Sequence, residues 1–280
     1  ITIPSRPSIM LEVAKATRGF APDLQGVAEI IRRDMLLSSE VLGEANRKLS
    51  DYKGKVGSIQ QAVMLLGLPR VREIVTRQFL TTSLIGRNDP MQKVRMHSLS
   101  VAQAAARLAY LLPDRSPTMQ NGYLPTIHPD EAYTVGLLHD VGVIILMQCF
   151  DNYRPFHEEM RTHGGRALVN AENDRFNTDH CQVGALLADR WNLPETVWRV
   201  ILSHHDHDAF FKAGKKVQRR KAAVLQGILH LAEHAAEDVF RDEWDLFVNR
   251  FGPFFDLNEN ALQSLRNEAG AALTPPSDTN

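Results

Sequence analysis

The run VGLLHDVGV, from Val135 to Val143, constrains this chain more than any other stretch, because it sets a histidine beside an aspartate inside an apolar segment. Apolar sequence of this kind belongs in a core. A carboxylate taken out of water there costs several kcal/mol unless a cation, a donor or a metal ion compensates it. Asp140 therefore requires partners, and His139 is the nearest. Adjacent residues on a helix point roughly 100° apart, so the two can share an ion only over the arc between them, with further ligands arriving from other helices.

With 44% hydrophobic residues, 280 residues can bury a substantial core, as one large domain or two smaller ones. Lys and Arg number 32 against 33 Asp and Glu, so no global field favours nucleic acid or an anionic membrane surface. Cys149 and Cys181 match no zinc or redox spacing, and so few cysteines point to a reduced, cytoplasmic compartment. The most apolar run, Val135 to Phe150, is too short to span a bilayer and carries His139 and Asp140 at its centre, so no membrane segment is expected. No secretory leader is visible. The start at Ile1, without an initiator methionine, is expected of a fragment of a longer chain.

The first ninety residues read as short helices with clear punctuation and no alternating strand pattern. Asp23 can cap a helix with Val27, Ile30 and Ile31 inward, and Ser38 or Ser39 the next, with Val41, Leu42 and Ala45 on its inner face. Gly54 and Gly57 mark a turn. Ser58 opens a short helix with Ile59, Ala62, Val63 and Leu66 inward, and Gly67 with Pro69 separates it from a longer one to Ile85. Nothing in this part looks catalytic. The run Ala28 to Asp34, the pair Ala45 and Asn46, and SIQQAVMLLG from Ser58 resemble the N-terminal half of an HDOD domain, a bacterial signalling module related to HD-domain phosphohydrolases. Met35 stands where the family usually has proline, and Arg47 where it has a small polar residue.

After a turn from Arg87 to Pro90, a helix from about Met91 to Leu112 carries His97 on the same apolar stripe as Val101, Ala104, Ala105, Leu108 and Leu112. A core histidine satisfied by a carbonyl is the plain alternative to a ligand. Pro113 to Pro129 reads as a loop, followed by the helix of His139 and Asp140 with Asp130 as its cap. Asp151 to Asp179 is polar and irregular, with one helix through Ala167 to Asn173. Asp179 or Thr178 caps a helix that begins at His180, where the positive end of the helix dipole favours a neutral imidazole, the form that binds metal. The helix from Pro194 to Ser203 delivers His204 and His205 at its C-terminal end. Donor side chains also cap last carbonyls there, and His207 is expected to face solvent.

His97, His139 with Asp140, His180, and His204 with His205 follow the order of the histidine and aspartate motifs of HD-family proteins. DHCQVGALLADRWNLP, from Asp179 to Pro194, is similar to the segment that precedes the paired histidines of HDOD domains. The resemblance implies an all-α, multi-helical HDOD/HD-domain-like bundle, with an N-terminal helical part at 1–90, an HD-like part at 91–240 and a C-terminal extension at 241–280. It implies metal ligands at His97, His139, Asp140, His180, His204 and His205. The last family aspartate falls on Glu233, with His230 a competing donor, and Val143 replaces the lysine of the branch active on cyclic dinucleotides.

Such a site would hydrolyse a phosphate ester, with Asp140 as the bridging and catalytic carboxylate. Its ligands suit Fe, Mn, Zn or Ni. No P-loop, dinucleotide-binding glycines or Ser-His-Asp order offers a rival chemistry. Lys212, Lys215, Lys216, Arg219, Arg220 and Lys221 could receive phosphates, or simply form a solvated loop and helix start. Past Val224 a helix runs to about Phe240, then an aromatic connection with Trp244, Phe247, Phe251, Phe254 and Phe255 packs the core, before a helix from Asn258 to Ala272 and a loose tail from Thr274. Two roles compete: a regulatory module with a protein partner in a signalling pathway, and a metal-dependent phosphohydrolase acting on a phosphate-containing small molecule.

Overall fold

The computed structural model describes residues 9, 12–13, 16–17, 23–49, 55–82, 91–190, 193–206, 209, 217–236 and 244–273. Among them helices dominate and no strand occurs. The chain divides into two compact units, residues 1–92 with 189–194, and residues 93–188 with 195–280.

In the first unit, helices α1 (Leu24–Arg32) and α2 (Met35–Lys48) both pack on α3 (Ile59–Thr82). Asp23 caps α1 by accepting from the Gly26 amide at 2.8 Å. The α2 cap is Asp34, not Ser38 or Ser39; its carboxyl accepts from the Leu37 amide at 2.8 Å, and Ser38 lies a turn inside the helix, donating to Ile31 O. Aspartate prevails because its side chain reaches the free amides of a first turn that starts earlier than the apolar pattern suggests. Val27, Ile31, Val41, Leu42, Ala45, Ile59, Ala62 and Val63 form the core. Asn46 is buried among them because its amide closes a two-way bond with the Val56 backbone, at 2.9 and 2.7 Å. Gly67, at φ 74°, kinks α3 ahead of Pro69, a conformation that favours glycine. Gly54, the Arg87 to Pro90 turn and the tail from Thr274 lie outside the described residues.

The second unit carries the histidines. Helix α4 (Gln92–Arg115) runs through Pro113, and α5 (Pro117–Gln120) follows at once, so the expected loop begins later. Proline forfeits its own helical bond there, a loss confined to the last turn of α4. His128, not Asp130, caps α6 (Pro129–Leu138), its ring accepting from the Asp130 amide, with Pro129 in the first helical position. The apolar run does not continue as one helix: α6 stops at Leu138 and α7 (Val141–Cys149) starts after Asp140. Residues 129–149 contain an 18-residue window apolar enough to cross a membrane, with a mean hydropathy of 1.5, but 72% of that window is buried in the protein itself.

The stretch from Asp151 to Asp179 is more ordered than its polarity predicts. It holds α8 (Tyr153–Met160), a 3-10 turn (Arg161–His163) and α9 (Gly165–Phe176). Helices α10 (His180–Arg190), α11 (Glu195–Ser203) and α12 (Val217–Ala236) follow, then α13 (Trp244–Phe255) and α14 (Glu259–Ala271). The aromatic stretch is itself helix α13, because Phe247, Phe251 and Phe255 recur every four residues and bury one face.

Candidate metal centre

Three glycines let neighbouring groups close up around the HD pair, two of them against backbone and one against a side chain. A β-carbon at Gly136 would meet the Ala102 backbone at 2.8 Å, so α6 lies hard against α4 and His139 comes beside His97, their ring centroids 5.4 Å apart. At Gly142 it would meet the His180 carbonyl oxygen at 2.0 Å, so the start of α7 touches the start of α10. At Gly165 it would strike the His205 ring.

The break between α6 and α7 corrects the expected geometry: His139 and Asp140 do not share an arc of one helix. His139 closes α6 and Asp140 opens α7 with φ −100° and ψ 14°, making no side-chain cap bond. Its two oxygens face two pairs of imidazoles. Oδ2 lies 3.2 Å from His139 Nε2 and 3.9 Å from His97 Nε2, while Oδ1 lies 3.6 Å from His204 Nε2 and 3.8 Å from His180 Nε2.

The other ring nitrogens are held. His139 Nδ1 bonds the Gly136 carbonyl at 2.8 Å and His204 Nδ1 the Ile201 carbonyl at 2.7 Å. A carbonyl only accepts, so Nδ1 donates in both rings and Nε2 is the atom each turns inward. The Nε2 atoms of both rings are buried and make no hydrogen bond. Two ligands of one ion, each bonded at about 2.0–2.2 Å, stand roughly 3–4 Å apart, which matches the separations around Asp140.

His180 departs from its expected neutral state. Its Nδ1 lies 2.6 Å from Oε2 of Glu172, a fully buried carboxyl on α9 that also accepts the His180 amide at 3.0 Å and the Tyr153 hydroxyl. Burial opposes protonation, but Cys181 and Glu172 outweigh it and hold the metal-free imidazole well above the ordinary histidine value. Asp179 caps α10 as expected, accepting the Gln182 amide at 2.8 Å.

The remaining electrostatics follow from burial against close partners. For Asp140 burial opposes ionisation, yet His139, His204 and His180 hold its carboxyl well below the usual range. His204 is raised, with burial opposed by Cys181 and Asp140, whereas burial and the neighbouring His204 and His180 keep His205 neutral. Burial lowers His157 to about 4. Glu233 is brought down to about 2 against burial by His230, its Oε2 3.2 Å from His230 Nδ1 and its Oε1 3.7 Å from His139 Nε2.

Sequence reasoning overlooked Glu172, Tyr153, His157 and Cys181. Cys181 Sγ lies 3.5 Å from His180 Nε2 and 3.6 Å from His204 Nδ1, and its place next to His180 in the chain was the available signal. Nothing in the sequence around Glu172 marks it. A pocket opens onto the cluster, lined by His97, Asp140, His157, His180, His205 and Glu233, with Lys93 and Arg161 among its remaining walls. Val143, at 1% exposure, packs in the core. Of the basic run, Lys221 pairs with Glu131 at 2.7 Å and Arg220 donates to the Tyr123 carbonyl. Lys212, Lys215, Lys216 and His207 lie outside the described residues.

The sequence model of the HDOD domain matches residues 3–207. An uncharacterized protein of Treponema pallidum (strain Nichols) is 22% identical over 204 residues, 73% of this chain and 38% of that protein, so the match spans well under half of the relative. Among solved structures, the MmoQ response regulator of Methylococcus capsulatus str. Bath has a TM-score of 0.60 at 23% identity, over 95% of this chain and 100% of the other. A virulence factor of Campylobacter jejuni subsp. jejuni has a TM-score of 0.60 at 18% identity, over 97% and 95%. At these identities the likeness is one of fold.

Proposed function

Because the chain belongs to the HDOD domain family, matched over residues 3–207, we propose that it is a regulatory module of bacterial signal transduction that holds a divalent transition metal in an HD-like site. The observation that supports the metal is the arrangement of His139, His180 and His204. Each ring is held at Nδ1 by an acceptor and turns Nε2 toward Asp140. His97 and His139 would hold an ion on one side of that carboxyl and His180 and His204 on the other, with His205 and Glu233 at the margins. Fe, Mn, Zn and Ni all suit so many imidazoles. When bound, such an ion polarises a phosphoryl oxygen and brings the pKa of a coordinated water to about 7.

The regulatory role is preferred because the cation of the active branch is absent. Val143 sits in the core, so α7 offers the pocket no positive charge, and neutralising a reacting phosphoryl group is a contribution worth several kcal/mol. A second reading, a metal-dependent phosphohydrolase with Asp140 as the central carboxylate, draws support from Lys93 and Arg161, which line the same pocket and suit a phosphate-bearing small molecule. A protein partner and a cytoplasmic setting complete the proposal on family grounds.

The test is metal analysis of the purified protein, followed by a turnover screen of phosphomonoesters, nucleotides and cyclic dinucleotides after loading with Fe, Mn, Zn or Ni. Bound metal is expected, and its loss when His139→Ala and Asp140→Ala are combined, with weak or no turnover of cyclic dinucleotides. Wild type that takes up no metal would sink the proposal, and robust turnover abolished by Asp140→Ala would make the protein an enzyme first.

A further inference from the structure

The geometry points to Glu172 as the positioning residue that aims His180 at the metal, with Tyr153 locking Glu172 in turn; this rests on the metal-site reading above. Glu172 is 0% exposed, and its carboxyl has three protein donors: His180 Nδ1 at 2.6 Å, the His180 amide at 3.0 Å and the Tyr153 hydroxyl. A carboxyl placed there solely to fill space would be a poor choice, because burying it costs several kcal/mol that an apolar side chain would avoid. What only the carboxyl can do is accept from all three donors at once. The imidazole and amide of His180 converge on Oε2, fixing the ring and the first residue of α10 together, while Tyr153 holds Oε1.

The same device occurs in two forms around Asp140. His139 and His204 are held at Nδ1 by backbone carbonyls three residues earlier in their own helices. His180 has no such carbonyl available: it is the first residue of α10, and the chain before it has not yet entered that helix. The acceptor has to come from another element, and α9 supplies it. Glu172 and Tyr153 thus do for His180 what helix geometry does for the other two, and outer acceptors of this kind change metal affinity about 10–100-fold.

The test compares Glu172→Leu, Glu172→Gln and Tyr153→Phe with wild type. Zinc affinity is measured by equilibrium dialysis, the His180 ring N–H by its downfield proton resonance with and without zinc, and folding by circular dichroism. Glu172→Leu is expected to weaken zinc binding about 10–100-fold and to abolish the resonance in a protein that remains helical. Should Glu172→Leu fail to fold, the decision passes to Glu172→Gln, which keeps the volume. Its carbonyl oxygen can accept from His180 while Tyr153 turns to accept from its NH2 group, so the resonance should persist at a shifted position, with a several-fold loss of affinity. Tyr153→Phe should give a smaller loss of the same sign. Folded variants at position 172 with wild-type zinc affinity and an unmoved His180 resonance would overturn the inference. Wild type that binds none of Fe, Mn, Zn and Ni but keeps a Glu172-dependent resonance would instead retain the contact and defeat the metal reading.

Discussion

Single side chains in this site are defined by what surrounds them more than by their type, and His157 gives a clean case. Buried against the ring of Tyr153, it has its pKa lowered from the usual 6.5 to about 4. The unfolded chain therefore takes up a proton before the folded one does. Stability from the neutral ring is fully present above about pH 6.5 and drains away as pH falls toward 4. His180 and His204 shift the opposite way and Glu233 loses its contribution only at lower pH, and all three remain in a variant that differs at position 157 alone. His157→Phe should then flatten the pH dependence, so that between pH 7.5 and pH 4.5 it loses about 2–3 kcal/mol less than wild type in urea titrations of metal-free protein. Parallel curves for the two proteins would show that the ring is not held neutral.

At the scale of helices, the site depends on how closely backbones approach. Gly142 leaves no room for a β-carbon against the His180 carbonyl, whereas Gly122 has nothing within 4 Å and only its φ of +72° to favour glycine. Gly142→Ala should cost about 3 kcal/mol, because backbone rather than a flexible side chain must give way, and should weaken metal binding as Asp140 and His180 separate. Gly122→Ala should cost about 1 kcal/mol and leave metal binding alone. Equal midpoints for the two in urea unfolding would remove the close approach as the cause. The helices themselves were legible in the sequence wherever period and caps agreed, as at Asp23, Ser58 and Asp179. Reading failed where a polar or apolar run hid a boundary. The apolar residues on either side of His139 and Asp140 concealed the stop between α6 and α7, and the polarity of residues 151–179 concealed α8 and the ends of α9. The histidines were legible because their order along the chain resembles a known pattern. Glu172 and Tyr153 were not, because their relation to His180 exists only after α8, α9 and α10 have packed.

Over the whole molecule, the chain forms two compact units, and His97, His139, Asp140, His180, His204, His205 and Glu233 all belong to the second. A ligand that binds only the folded form stabilises it by mass action, by about 2.7 kcal/mol at a free concentration one hundred times its dissociation constant. Because every candidate ligand lies in one unit, that gain should be local. Hydrogen exchange followed with and without zinc should show added protection in α4, α6, α7 and α9 to α12, which bring the ligands and Glu172 together, and little change in α1 to α3. Exchange reports opening free energies segment by segment, so the two units can be separated within one sample. Asp140→Ala should erase the added protection without altering the zinc-free pattern of α1 to α3. Protection spread evenly over both units would mean that the metal acts on the fold as a whole, and protection absent from α4 and α7 would place the ion away from Asp140.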